Sequence, residues 1–262
     1  MNKNTDLEAQ PGGIALSDDF KGAIVVTCDA QVRQRFMAKV YSILSSQLLL
    51  SLCFIGAVYR FPSFQSFLIN HVFIWVLAMI FTFVSCIWVS IAPSPEEYEE
   101  NERVPWYALT SRGQKSLLFL FTLCESYCLA GTVMFEAQDT VASALLVTTV
   151  VVFGISVMAF SGRFQLSEGT MGSLYGWLGM GIWMLIGIFI TSLFFGGLTS
   201  RMNVLTGWLG AVVFSVYLFI DTQLIFRKVH VGEEVKCAMM LYLDIVNLFL
   251  SLLRIMSNNN DD

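Results

Sequence analysis

Charge is what this chain has least of. Only 13% of its 262 residues are Asp, Glu, Lys or Arg, about half the ~25% of an ordinary soluble domain, and that shortage excludes a solvated globular surface. Histidine is scarcer still. His71 and His230 are the only two, and neither has a second His, a Cys or an Asp at ligand spacing, so they are not expected to form a metal site. No CxxC occurs: Cys28, Cys53, Cys86, Cys124, Cys128 and Cys237 are scattered, four of them in apolar runs, and read as small buried hydrophobes. HExxH, GxSxG and P-loop patterns are missing too. An enzyme is not expected, and neither is a bound cofactor. The formal charge of -5 gives no basic footprint, which removes nucleic acid from the expected partners.

What is abundant is apolar. Hydrophobic residues make up 56% of the chain and the mean hydropathy is +0.67. A bilayer core about 30 Å thick needs about 20 such residues per helix, and runs of that length recur near 38–60, 70–92, 114–135, 140–161, 170–196, 203–226 and 236–256. The pattern predicts an all-α, multi-pass membrane protein: seven spans forming one integral domain, 36–256, in the lipid bilayer. Residues 1–35 are polar and mixed in charge, with no apolar piece longer than 23–28, too short for a signal-peptide core. They are expected to form a flexible tail, and 257–262 a second, short one.

Cytoplasmic loops carry the excess of Lys and Arg. The N-terminal segment has Lys3, Lys21, Arg33, Arg35 and Lys39; loop 2/3 has Arg103, Arg112 and Lys115; loop 4/5 has Arg163; loop 6/7 has Arg227, Lys228 and Lys236. The opposite side has Arg60, Arg201 and Arg254. The N-terminus is therefore expected in the cytoplasm and the C-terminus outside or in a lumen, which argues against a G-protein-coupled receptor. The last span has no lysine past its opening Lys236 for a retinal Schiff base. Close helix packing is expected around Gly172, Gly176, Gly179 and Gly181 of span 5, and Gly207 and Gly210 of span 6.

An aspartate at mid-helix costs about 2.5–3.5 kcal/mol on insertion scales, so intramembrane acids mark function by default. Asp221 lies six residues before Arg227, and Asp244 eight residues after Lys236. At 1.5 Å per residue they sit roughly 9 Å and roughly 12 Å from the same side. Asp244, Asn247, Ser251 and Arg254 follow the spacing i, i+3, i+7, i+10, one polar stripe that should face the bundle interior or a water-filled path. Tyr217, one turn before Asp221, could donate to it. Two facing carboxyls cannot both ionise cheaply, so such a pair shares a proton and titrates as a unit. Protonated, it would hold spans 6 and 7 together; deprotonated, it would repel and attract a cation such as calcium. The alternative is that each carboxyl bonds separate partners as a static strut. Glu125, roughly 15 Å deep, shares a face with Thr122 and Thr132 and could line a polar path. The acidic loop holding Glu96, Glu97, Glu99, Glu100 and Glu102 lacks EF-hand spacing and reads as solvated.

The segments FIDTQLI, LYLDIVNLFLSLLRI, LFLFTLCESY and FMAKVYSILSSQLL occur in an order and spacing that resemble the Bax inhibitor (transmembrane Bax inhibitor motif) family, and within it the lifeguard branch. The resemblance spans Phe36 to Met256. It implies a seven-helix bundle with the last helix at its centre and a pH-sensitive calcium leak through an intracellular membrane, endoplasmic reticulum or Golgi. It also implies suppression of cell death by lowering stored calcium. Asp221 and Asp244 match the family's pH-sensing pair. Span 2 lacks the acid that bacterial relatives carry there, a place Glu125 could take. Arg112 is the nearest candidate for the arginine that pairs with the span 6 aspartate. Two rival readings remain: a proton/calcium exchanger, and an interaction protein that inhibits cell death through membrane protein partners, with structural carboxyls.

Overall fold

The structure, a computed structural model, describes residues 30–93, 105–161, 166–194, 199–227 and 232–259. The polar tail up to residue 29, the acidic loop with Glu96 to Glu102, Arg103, Arg163, Lys228, His230 and the terminal Asp261 and Asp262 lie outside them.

Eight helices follow one another: α1 (Ala30–Arg60), α2 (Pro62–Asn70), α3 (Val72–Ile91), α4 (Ser111–Val133), α5 (Gln138–Phe160), α6 (Glu168–Phe194), α7 (Ser200–Arg227) and α8 (Glu234–Asn259). All but α2 are long and apolar enough to cross a membrane, which agrees with the seven apolar runs. Two boundaries differ from the hydropathy reading. The first helix begins at Ala30, two turns before its apolar stretch, because Gln31, Arg33, Gln34 and Arg35 are good helix formers that hydropathy scores against. The connection after Arg60 is itself a nine-residue helix, started by Pro62, whose fixed φ suits a first helical turn. At the start of α4, the Thr110 hydroxyl accepts the Gly113 backbone N–H at 3.2 Å, satisfying one of the donors that a helix start leaves free.

The outer faces are as apolar as the core. Phe73, Phe83, Phe153 and Trp183 stand exposed on α3, α5 and α6, the pattern of helices solvated by lipid rather than water. Polar side chains point inward instead: Gln47, Ser51, Thr122, Ser126, Asp221 and Asp244 are all buried. α8 packs against α7 most extensively, then α1 and α5, and more thinly α4 and α3, whereas α6 packs mainly on α7.

Helix directions follow from the contacts. Lys39 reaches Glu234 at 3.4 Å, joining the first turns of α8 to the first third of α1, and one helix segment later Ser51 reaches Tyr242 at 2.8 Å. α1 and α8 therefore run parallel. Gln47 to Thr122 and Ser51 to Ser126 pair in the same sense, so α4 is parallel to both.

Close packing falls on one of the two glycine groups. A Cβ on Gly207 would come within 2.7 Å of Ile255 Cγ1 and 3.0 Å of the Ser251 carbonyl, and one on Gly210 would strike the Ser251 hydroxyl. Glycine there lets α7 lie directly on α8. On α6, only Gly181 is pressed, against Val213 at 2.9 Å. A Cβ on Gly172, Gly176 or Gly179 meets nothing within 4 Å. The expectation of a tight seam along those three is corrected: they sit on a part of α6 that no described neighbour approaches.

Candidate functional site: a carboxyl pair between the last two helices

The Gly207 and Gly210 contact brings α7 onto α8, and one consequence lies further along the same seam. Asp221 of α7 and Asp244 of α8 are 4% and 7% exposed, and their carboxyl groups lie close enough to interact directly. The similar depth read from helix rise is thus a real juxtaposition. A carboxyl–carboxylate bond needs one proton between the two groups, since an ionised carboxyl only accepts. The pair is also poorly supplied otherwise: Asp244 Oδ2 is buried without a partner among the described residues.

The third member comes from α6. The Tyr175 hydroxyl donates to Asp221 Oδ1. Tyr217, the donor suggested by the one-turn spacing, instead packs its ring beside that of Tyr175, with centroids 5.8 Å apart. Spacing along α7 gave proximity to Asp221 but not the side chain's direction, and the across-helix tyrosine takes the bond. The only sequence signal for Tyr175 is a phenol inside the glycine-rich run GSLYGWLGMG.

Other predicted members stand apart. Arg112 is exposed in the first turn of α4, and among the described residues no ion pair joins it to Asp221, which is buried between α6, α7 and α8. Asn247 Nδ2 donates to the Leu243 carbonyl at 2.8 Å, and Ser251 Oγ to the Asn247 carbonyl at 2.7 Å. Both bonds of the stripe below Asp244 therefore return to its own helix, and Ser251 packs on the α7 glycines. Arg254 ends it at an exposed position.

Glu125 belongs to a different neighbourhood, half-buried on α4 and close to Cys86 of α3 and to Tyr242 of α8. Thr122 and Thr132 do not extend a path from it: each hydroxyl bonds its own helix, to Leu118 and Cys128, and Thr132 is exposed. Sequence reasoning missed the cluster beside it. Ser51 of α1 lies 3.0 Å from Ser126 of α4 and 2.8 Å from the hydroxyl of Tyr242, which is wholly buried; Gln47 Nε2 donates to Thr122 at 2.9 Å. α8 thus carries a polar contact on each of two opposite faces, Asp244 toward α7 and Tyr242 toward α1 and α4.

An acid pair on the sixth and seventh spans of a seven-span bundle is the arrangement the motif resemblance implies, and comparison with known proteins tests the family itself. The model of a family described as inhibitor of apoptosis-promoting Bax1 matches residues 33–261. The chain belongs to the Bax inhibitor family. It is 49% identical to Bax inhibitor 1 of Saccharomyces cerevisiae, over 97% of this chain and 93% of that protein. Mouse protein lifeguard 4 is 28% identical over 94% of each chain, and the Golgi anti-apoptotic protein of Vaccinia virus strain Lister is 28% identical over 94% of this chain and 95% of its own. Both branches that the resemblance pointed to, Bax inhibitor and lifeguard, are represented among these relatives.

Proposed function

We propose that this protein is a calcium leak pathway of an intracellular membrane, gated by the proton that Asp221 and Asp244 share, and that it restrains cell death by limiting stored calcium. The observation that carries the reading is the buried contact between the two carboxyls on the helices packed most extensively against each other. Protonated, the pair is a hydrogen-bonded clasp between α7 and α8. As pH rises and the proton leaves, two like charges face each other in a medium of low dielectric, and the contact becomes repulsive. The same event creates a doubly anionic site. Calcium takes six to eight oxygen ligands, and two carboxyls with the Tyr175 hydroxyl supply fewer, so a passing ion keeps part of its water. That suits transit better than storage.

The names of the relatives support the cellular side: two of them are inhibitors of Bax or anti-apoptotic by name, one with a Golgi designation. Endoplasmic reticulum or Golgi is the proposed location, with the N-terminus in the cytoplasm.

The test is calcium efflux from liposomes holding the purified protein, at about pH 6 and about pH 8, two values wide enough apart to change the proton count of a coupled pair. Wild type leaks faster at the higher pH, and Asp244→Asn, which cannot lose its proton, flattens the dependence. A folded Asp244→Asn protein with the wild-type pH profile overturns the gating. Efflux that runs only against a proton gradient indicates exchange. Folded wild type that moves no calcium directs attention to protein partners.

A further inference from the structure

On the side of α1 away from the carboxyl pair, a groove of about 430 Å3 runs between α1 and α4, a size within the range of about 300–1,000 Å3 of small-ligand sites. Its walls are Ile43, Leu49, Leu50, Leu118 and Phe119. One feature distinguishes it from an ordinary seam between helices in lipid. Lys115 lies at one end, and Arg112 stands one turn nearer the start of α4; both are exposed, and neither forms an ion pair among the described residues. Gln47, 4% exposed, closes the wall from within, its Nε2 donating to Thr122 and its Oε1 buried.

Hydrocarbon alone leaves this end of the groove unmet, because two cations at the edge of a bilayer, unpaired among the described residues, call for an anion. An apolar wall and a doubly basic end match the order of parts in one molecule that every membrane supplies. We propose that this groove binds an anionic glycerophospholipid of the leaflet nearest the starts of α1 and α4, its phosphate on Lys115 and Arg112 and one acyl chain along the apolar wall. Neither a sterol nor an apolar helix from a partner has an anion for the cations.

The lipid would bridge α1 and α4, helices already joined by the Gln47 and Ser51 bonds, and so bind the fixed side of the bundle rather than the carboxyl pair. The site is therefore independent of the calcium reading and can be tested without any flux measurement.

The experiment uses the full-length protein in liposomes containing a trace of phosphatidic acid with a photoactivatable group in its acyl chain, followed by mass mapping of adducts. Adducts concentrated on residues 43–53 and 115–122, displaced by unlabelled phosphatidic acid but not by phosphatidylcholine, are the expected result. Lys115→Gln and Arg112→Gln each lower the yield by about five-fold, the change one basic residue at an anionic lipid surface carries. Both positions are exposed, so unchanged melting temperatures will show that the fold is intact. Adducts spread evenly over the exposed faces of α3 and α5, or equal competition by phosphatidylcholine, would overturn the proposal.

Discussion

At the scale of single residues, Tyr175 is the group whose role is easiest to isolate. Its hydroxyl donates to Asp221, and a donor to a carboxylate favours the ionised form. Without it, Asp221 gives up its share of the proton less readily, so Tyr175→Phe should move the curve of calcium efflux against pH toward higher pH with little loss of maximal rate. Tyr217→Phe should move the curve less, since the bond to Asp221 is donated by Tyr175 and the Tyr217 ring packs beside that of Tyr175. The acid pair was legible from FIDTQLI and LYLDIV because helix rise converts distance from a flanking basic residue into depth. Tyr175 was not legible. It lies 46 residues from its partner, and the rotation of one helix against another is set by packing that no local spacing encodes.

Helices carry a second set of expectations. Gly207 and Gly210 let α7 close on α8, so Gly210→Val should cost about 1–3 kcal/mol through overpacking, lower the melting temperature in detergent and disturb the pH response through the parted seam. Gly176→Val serves as the matched control: a side chain there meets open space, and its melting temperature should stay near that of the wild type. Both positions read alike in the sequence, as small residues spaced for helix association. The difference is that α7 faces its glycines toward α8, while α6 touches the bundle mainly along the side bearing Leu178 and Gly181. The same limit applies to the polar stripe of α8. Its spacing was right, yet Asn247 and Ser251 return their hydrogen bonds to their own backbone, an option open to any Ser or Asn in a helix.

For the molecule as a whole, the seven spans were readable because hydropathy over about 20 residues measures the solvent itself. The directions of α1, α4 and α8 then place the two ends of an odd-span bundle on opposite sides. If the Lys and Arg asymmetry sets orientation as proposed, a glycosylation acceptor appended after residue 262 should be modified in the endoplasmic reticulum, and one placed before residue 1 should not. Modification of the N-terminal acceptor alone would invert the proposed topology. The cluster of Gln47, Ser51, Thr122, Ser126 and Tyr242 was hidden because its members are common, mild polar residues on three helices far apart in sequence. Tyr242→Phe should cost about 0.6 kcal/mol, the average for a bond between helices in a membrane bundle, measurable as a small fall in melting temperature with the pH profile retained.

On the proposed gating, the two opposite contacts of α8 decide which part of the molecule should move. Tyr242 ties α8 to α1 and α4, like a doorpost fixed into a wall, and Asp244 is the strike plate on the side that faces α7. α6 and α7 form the leaf, with Tyr175 and Asp221 as the two parts of its bolt. When the bolt withdraws, the post stays and the leaf swings, so the opening should appear at the edge of the bundle where α6 meets lipid rather than along its middle.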